Sequence, residues 1–243
     1  MNKINVLFTA DGFRLNGTLH MPAQEQKIDN GTMPIVVGSH GLLSNGESPK
    51  QIALAEKLNR AGIAYFRFDH RGRGESDGRF SEVSTFAGRI NDMSAAIEAA
   101  RTHSGAGGPL GLFGSSMGGA VCLGVADRFN IRAMVTLAAP VRLEAIRVPP
   151  DIADDPLFGD MKPEQLAFDV APLLEHAGGI LIFHGDADEV VSFSNAMEIH
   201  EKTSPPKQLI RFSGCDHAIS DPRYQQQFIE QAADWFISRL LSS

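Results

Sequence analysis

The chain has 243 residues, 43% of them hydrophobic and 21% charged, with a formal net charge of −7. That length suits one α/β domain spanning residues 1–243 with a large core, and an acidic balance without a basic run speaks against nucleic acid as a partner. No apolar stretch approaches the roughly 18 residues of a membrane span, no secretory leader is legible, and two cysteines, Cys122 and Cys215, are too few for a disulfide framework, so a cytoplasmic protein is expected.

Two short runs, Ile4–Phe8 and Phe13–His20, flank Ala10-Asp11-Gly12 and predict a β-hairpin. A polar connector, Gln24–Thr32, follows, and then strands and helices alternate. Ile35–Ser39 reads as a strand. Pro49–Ala61 reads as a helix with Ser48 as N-cap, Pro49 in the first turn and Gly62 just past its end. After strand Ile63–Phe68, apolar Val83, Phe86, Ile90, Met93 and Ile97 form a one-faced helical stripe. Strand Pro109–Phe113, a helix after Ser116, and strands Ala133–Ala138 and Gly179–Phe183 come next. A helix over Phe193–Lys202, strand Gln208–Phe212 and a last helix over Tyr224–Leu240, with Phe228, Ala232, Trp235 and Phe236 inward, complete the series. Near-continuous apolar strands between amphipathic helices imply a mostly parallel sheet covered on both faces, with ligands beyond the carboxyl ends of its strands.

One connection exceeds a simple crossover, since Ala138 and Ile180 lie 42 positions apart. Within it, Asp151–Asp169 holds six acids against one lysine, interleaved with Leu157, Phe158 and Met161. We expect residues 141–177 to form a small cap over the site; a solvated surface excursion is the alternative.

The pattern G-x-S-x-G occurs twice. Gly114-Ser115-Ser116-Met117-Gly118 directly follows an apolar strand and opens a helix, the context of a nucleophile elbow, where a sharp strained turn exposes the serine hydroxyl. The glycines are required because a Cβ on either would strike the neighbouring strand or helix. Gly74-Glu75-Ser76-Asp77-Gly78 lies beyond a charged segment, Asp69–Arg73, with no helix starting at its serine, so Ser76 reads as a turn residue. Ser116 is therefore the candidate nucleophile.

A serine needs an adjacent base oriented by a third group, and in elbow-bearing folds the chain order is Ser, acid, His. His217, after strand Gln208–Phe212, fits that order. His184, at a strand terminus, fits a buttress for the acid-bearing turn. Asp188 is the expected acid, with Asp186 as the alternative. Two N–H donors should face the developing oxyanion: Met117, at the helix N-terminus, and Leu42, in the segment after strand Ile35–Ser39. His40, Gly41 and Leu43 on that segment are the expected substrate contacts.

Together, Ser39-His40-Gly41-Leu42, Arg67-Phe68-Asp69-His70-Arg71-Gly72-Arg73-Gly74-Glu75-Ser76-Asp77-Gly78, the Ser116 elbow, His184-Gly185-Asp186-Ala187-Asp188-Glu189-Val190-Val191 and Gly214-Cys215-Asp216-His217 resemble the α/β-hydrolase superfamily, and within it the cinnamoyl/feruloyl esterase-like serine hydrolases. The resemblance runs from about Asn5 to Ile237. It implies an eight-stranded, mostly parallel sheet, the triad Ser116, Asp188 and His217, and oxyanion donors Leu42 and Met117. Those esterases carry a longer insertion that shapes an aromatic-acyl pocket; here Val141–Ala177 is shorter and acidic, so a hydroxycinnamate substrate does not carry over. The expected activity is hydrolysis of a small-molecule carboxylic ester by a monomer or homodimer. Thioester or peptide hydrolysis is the alternative, and a non-catalytic ligand-binding member of the fold a further one. No grouping has metal-ligand spacing, so neither metal nor organic cofactor is expected.

Overall fold

A computed structural model of the chain describes residues 2–23, 33–104, 108–147, 156–157 and 161–241. The predicted connector 24–32 lies outside them, as does much of the acidic stretch of the predicted cap (residues 151–155 and 158–160). Strands β1 (Asn2–Ala10), β2 (Phe13–Met21), β3 (Ile35–Ser39), β4 (Ala64–Phe68), β5 (Leu110–Ser115), β6 (Ile131–Leu137), β7 (Gly178–Gly185) and β8 (Ser204–Phe212) form one sheet in the order β1-β2-β4-β3-β5-β6-β7-β8. The β1–β2 hairpin turns through Asp11 and Gly12, both at positive φ, and β2 pairs antiparallel with β4. From β4 to β8 every pairing is parallel. This is the α/β-hydrolase fold.

Helices α1 (Pro49–Arg60), α2 (Phe80–Val83), α3 (Phe86–Ser104), α4 (Met117–Gly124), α5 (Ser194–Lys202) and α6 (Pro222–Leu240) connect the strands. Successive strand residues point to opposite faces, so a strand covered twice is apolar at nearly every position. Val36 packs with Leu54 and Leu58 of α1 and Phe228 and Phe236 of α6. Its neighbour Val37 joins Ile90, Met93 and Ile97 of α3, Val121 of α4 and Ile199 of α5 on the other face. Phe228, Ala232, Trp235 and Phe236 are all buried, as the pattern of the last helix predicts.

Two local expectations need correction. The stripe from Val83 to Ile97 is not one helix: α2 ends at Val83, Ser84 is extended, and the Thr85 hydroxyl accepts the Gly88 N–H at 2.9 Å. Ser and Thr at these positions offer a side-chain cap that competes with continuing the helix, and hydrophobic spacing alone does not register it. Ser48 does occupy the N-cap of α1, but its side chain makes no capping bond.

The strand ends position the site. The segments after β3, β5, β7 and β8 carry His40, Ser116, Asp188 and His217 respectively. Between β6 and β7 the described residues form three 3-10 turns, Leu143–Ala145, Pro163–Leu166 and Ala171–His176. The base of this excursion is pinned by a β-bridge between Arg142 and Asp169, by Val170 N–H donating to Val141 O, and by Phe168 stacked on Phe86 at 4.4 Å.

The elbow glycines sit where no side chain fits. A Cβ on Gly114 would lie 2.3 Å from Gly118 O, and one on Gly118 would lie 2.2 Å from Ser39 O. Both obstacles are backbone. Gly118→Ala is therefore expected to destabilise the chain by about 1–3 kcal/mol, read as a fall of roughly 2–4 °C in Tm per kcal/mol in a thermal melt. An unchanged Tm would contradict the packing.

Candidate active site

Ser116 sits between β5 and α4 with φ 52° and ψ −125°. A non-glycine residue held there costs about 1–3 kcal/mol, which the surroundings must offset. They do so through Ser116 N–H, which donates to Leu137 O at 2.8 Å, and Ser116 O, which accepts Gly119 N–H at 2.8 Å. The strain aims the hydroxyl outward, 3.0 Å from His217 Nε2. His217 Nδ1 lies 2.8 Å from Asp188 Oδ2. A carboxylate only accepts, so Nδ1 carries the proton and Nε2 presents its lone pair to the serine. Residues 116, 188 and 217, remote in sequence, thus form one continuous chain of hydrogen bonds.

Asp188 is fully enclosed at its side chain. Its Oδ1 accepts the Val190 and Val191 N–H groups at 2.9 and 2.7 Å. Burial alone would raise its pKa, yet hydrogen bonds from His184 and His217, with the backbone donor of Val191, hold the carboxyl far below its ordinary value. His184 Nε2 lies 2.8 Å from Val191 O and 3.2 Å from Asp188 Oδ2, bracing the turn. Asp186, the alternative acid, turns away: Arg211 Nε and Gly214 N–H both donate to it at 2.6 Å. It braces the loop leading to His217. Ser76 is a turn residue, its hydroxyl donating to Asp69 O at 2.7 Å and accepting Asn16 N–H at 3.0 Å.

Above Ser116 opens a cavity of about 290 Å³. Gly41, Leu42, Leu43, Met117, Leu137, Ile146, Val190 and Ala218 supply its apolar wall, and Ser44, Ser48, Lys50 and His217 its polar groups. Gly41 and Leu43 are thus at the cavity. His40 is not. It is 1% exposed, tucked beneath the loop, where Nε2 accepts the His70 N–H at 3.1 Å and Nδ1 donates to Gly41 O at 2.7 Å. Every polar atom of its ring is spent on backbone, so it supports the loop and cannot reach a substrate.

A buried polar network carries that loop. Arg89, wholly buried, donates to Leu42 O at 3.0 Å and His40 O at 3.4 Å, and Arg73 Nε donates to Ser44 O at 2.9 Å. Beneath, His70 Nε2 meets Ser39 Oγ at 2.9 Å and Nδ1 faces Asp92. Asp92 Oδ1 also accepts Arg71 Nε and Nη2 at 2.9 and 2.7 Å. The loop's carbonyls are thus held inward, and the Met117 N–H, first in its helix, has no intrahelical acceptor. Asp69–Arg73 reads in the sequence as a charged loop; its Asp69, His70 and Arg71 are instead buried. Composition hides this, because the partner of His70 and Arg71 is the distant Asp92 on α3.

The family model described as "Serine aminopeptidase, S33" matches residues 32–155, slightly more than half the chain. The chain belongs to this family of α/β hydrolases. The protein YfhR of Escherichia coli K12 is 31% identical over 97% of this chain and 81% of its own length. Human alpha/beta hydrolase domain-containing protein 17C is 26% identical over 79% of this chain and 54% of its own. Among solved structures, ferulic acid-bound Est1E from Butyrivibrio proteoclasticus superposes with a TM-score of 0.77 at 22% identity, covering 97% of this chain and 99% of its own. The Pyrococcus furiosus esterase Pf2001 gives 0.79 at 18%, covering 99% and 91%. At such identities the structural likenesses speak for the fold. No helix among the described residues is long and apolar enough to cross a membrane.

The buried histidines make stability pH-dependent. Burial pushes His70 down to about 4, with Arg89 adding repulsion, and burial beside Arg67 pushes His20 down to about 4. Between pH 4 and their unfolded value of about 6.5, the unfolded chain binds protons that the folded chain refuses, so stability falls as pH falls. His70 alone accounts for roughly 3 kcal/mol at pH 4. Urea titrations from pH 7 to 4 should show this decline, and a flat profile would contradict the buried neutral rings.

Proposed function

We propose that the chain is a serine-dependent carboxylic ester hydrolase acting through an acyl-enzyme at Ser116. The reading rests on one observation: the Ser116–His217–Asp188 hydrogen-bond chain, at 3.0 and 2.8 Å, opening into a mostly apolar cavity. In the first half-reaction His217 Nε2 takes the hydroxyl proton as Ser116 Oγ attacks the ester carbonyl. Negative charge develops on the carbonyl oxygen between the Leu42 and Met117 N–H groups, the latter at the positive end of α4. His217 then gives its proton to the departing alcohol. In the second half, His217 deprotonates water, which attacks the acyl carbon and releases the acid and Ser116. Asp188 keeps the imidazole in the required tautomer and stabilises the imidazolium. Of the proposed cap, residues 141–177, Ile146 contributes to the cavity wall.

The family's description favours a second reading, an aminopeptidase. Such an enzyme must hold a substrate ammonium, and no carboxylate lines the cavity among the described residues; the lining charge is Lys50, which would repel it. Ester hydrolysis is therefore the reading we favour, with thioesters open to the same machinery.

Ser116→Ala should lower p-nitrophenyl butyrate hydrolysis by about 10³-fold or more without changing the thermal melt. Ser76→Ala should leave the rate nearly intact. Equal losses would overturn the nucleophile assignment. Wild-type protein should cleave amino-acid p-nitroanilides far more slowly than the ester, and the reverse preference would support the aminopeptidase.

A further inference from the structure

The cavity over Ser116 holds one charge that the hydrolytic cycle leaves unused. Lys50, in the first turn of α1, forms part of its wall. No acid stands in that first turn. Acids are the residues a helix favours there, whereas a cation opposes the helix dipole and lowers stability. Burial makes the placement worse, drawing the ammonium below its ordinary value, with only partial relief from Asp216. Among the described residues the ammonium has no hydrogen bond and no carboxylate within 4.0 Å.

The acids of the facing loops are engaged elsewhere. Asp216 accepts Ser220 N–H at 2.8 Å and Ser220 Oγ–H at 2.6 Å, and exposed Glu189 accepts the His217 N–H at 3.4 Å. Beside Lys50, Ser48 makes no capping bond, which leaves its hydroxyl on the same wall as a second donor. A lysine that merely solvates a surface would point outward from a helix start. This one carries two electrostatic costs inside the cavity that holds the nucleophile, and a ligand anion would offset both.

We propose that Lys50 is a specificity residue and that the preferred ester bears a carboxylate remote from its scissile bond. Leu42, Leu43, Ile146 and Val190 would cover the hydrocarbon between the two ends. A half-ester of a short dicarboxylic acid has this character. The inference rests on the ester-hydrolase reading and adds a substrate class to it.

The test compares charged esters with neutral partners of the same shape. For an anion on the acyl side, mono-4-nitrophenyl glutarate is set against its methyl-capped diester, followed by 4-nitrophenol release. For an anion on the alcohol side, 4-acetoxybenzoate is set against its methyl ester, followed by acetate release. In at least one pair the wild-type chain should favour the charged ester about tenfold in kcat/KM, the scale of a charge-assisted hydrogen bond, with the difference carried by KM. Lys50→Met should bring that ratio to about one, Lys50→Glu should invert it, and Lys50→Arg should retain it. Ratios near one in both pairs, or a preference untouched by Lys50→Met, would overturn the proposal while leaving ester hydrolysis standing. Turnover of none of the four esters would fell the ester-hydrolase reading and this inference with it.

Discussion

The site depends on a backbone that would not hold its shape alone. Ser116 occupies a region that L-residues avoid, and it stays there because β3, β5 and α4 crowd so closely that Gly114 and Gly118 leave no room to relax. The same crowding starts α4 at the residue after the serine, so the turn that exposes the hydroxyl also sets the N-terminus of a helix behind it. Strain, exposure and the electrostatics of the helix end are three results of one tight turn.

Around that turn the molecule uses buried polar groups as scaffolding. Asp188 is caught between two backbone donors and two imidazoles; the loop of His40–Ser44 hangs from Arg89 and Arg73. Burying such groups is costly unless each is satisfied, and once satisfied they tolerate few alternatives. Both sides of the cavity are therefore set largely by groups that never reach it, which explains how loops can hold Ser116 and His217 in register.

Much of this was legible in the residues. Near-continuous apolar strands announced a doubly covered sheet, and the elbow was separable from Gly74–Gly78 because a strand leads into it and a helix leaves it. Chain order and strand-end placement favoured His217 and Asp188, and these are the side chains that meet Ser116. What escaped were facts of tertiary packing. His40 stands in the right segment, but nothing local says that its ring faces down into His70 and Gly41 rather than up. The break at Ser84 was masked by a stripe whose spacing continues across it. Lys50 carries a single signal in the sequence, a cation where a helix start prefers an acid, and that signal is weak until the cavity beside it is known. Ile146 reaches the cavity through a bridge to Val191 that no periodicity encodes.

The pinned base of the β6–β7 connection has a consequence for how such a chain can change. Arg142 is tied to Asp169 and Glu198, and Phe168 leans on Phe86, so both feet of the excursion are anchored independently of what lies between them. Lengthening a segment whose ends are already fastened costs only a slowly growing entropy of closure. Descendants of this sequence could therefore exchange or extend the intervening stretch while the sheet and the Ser116–His217–Asp188 chain kept their places.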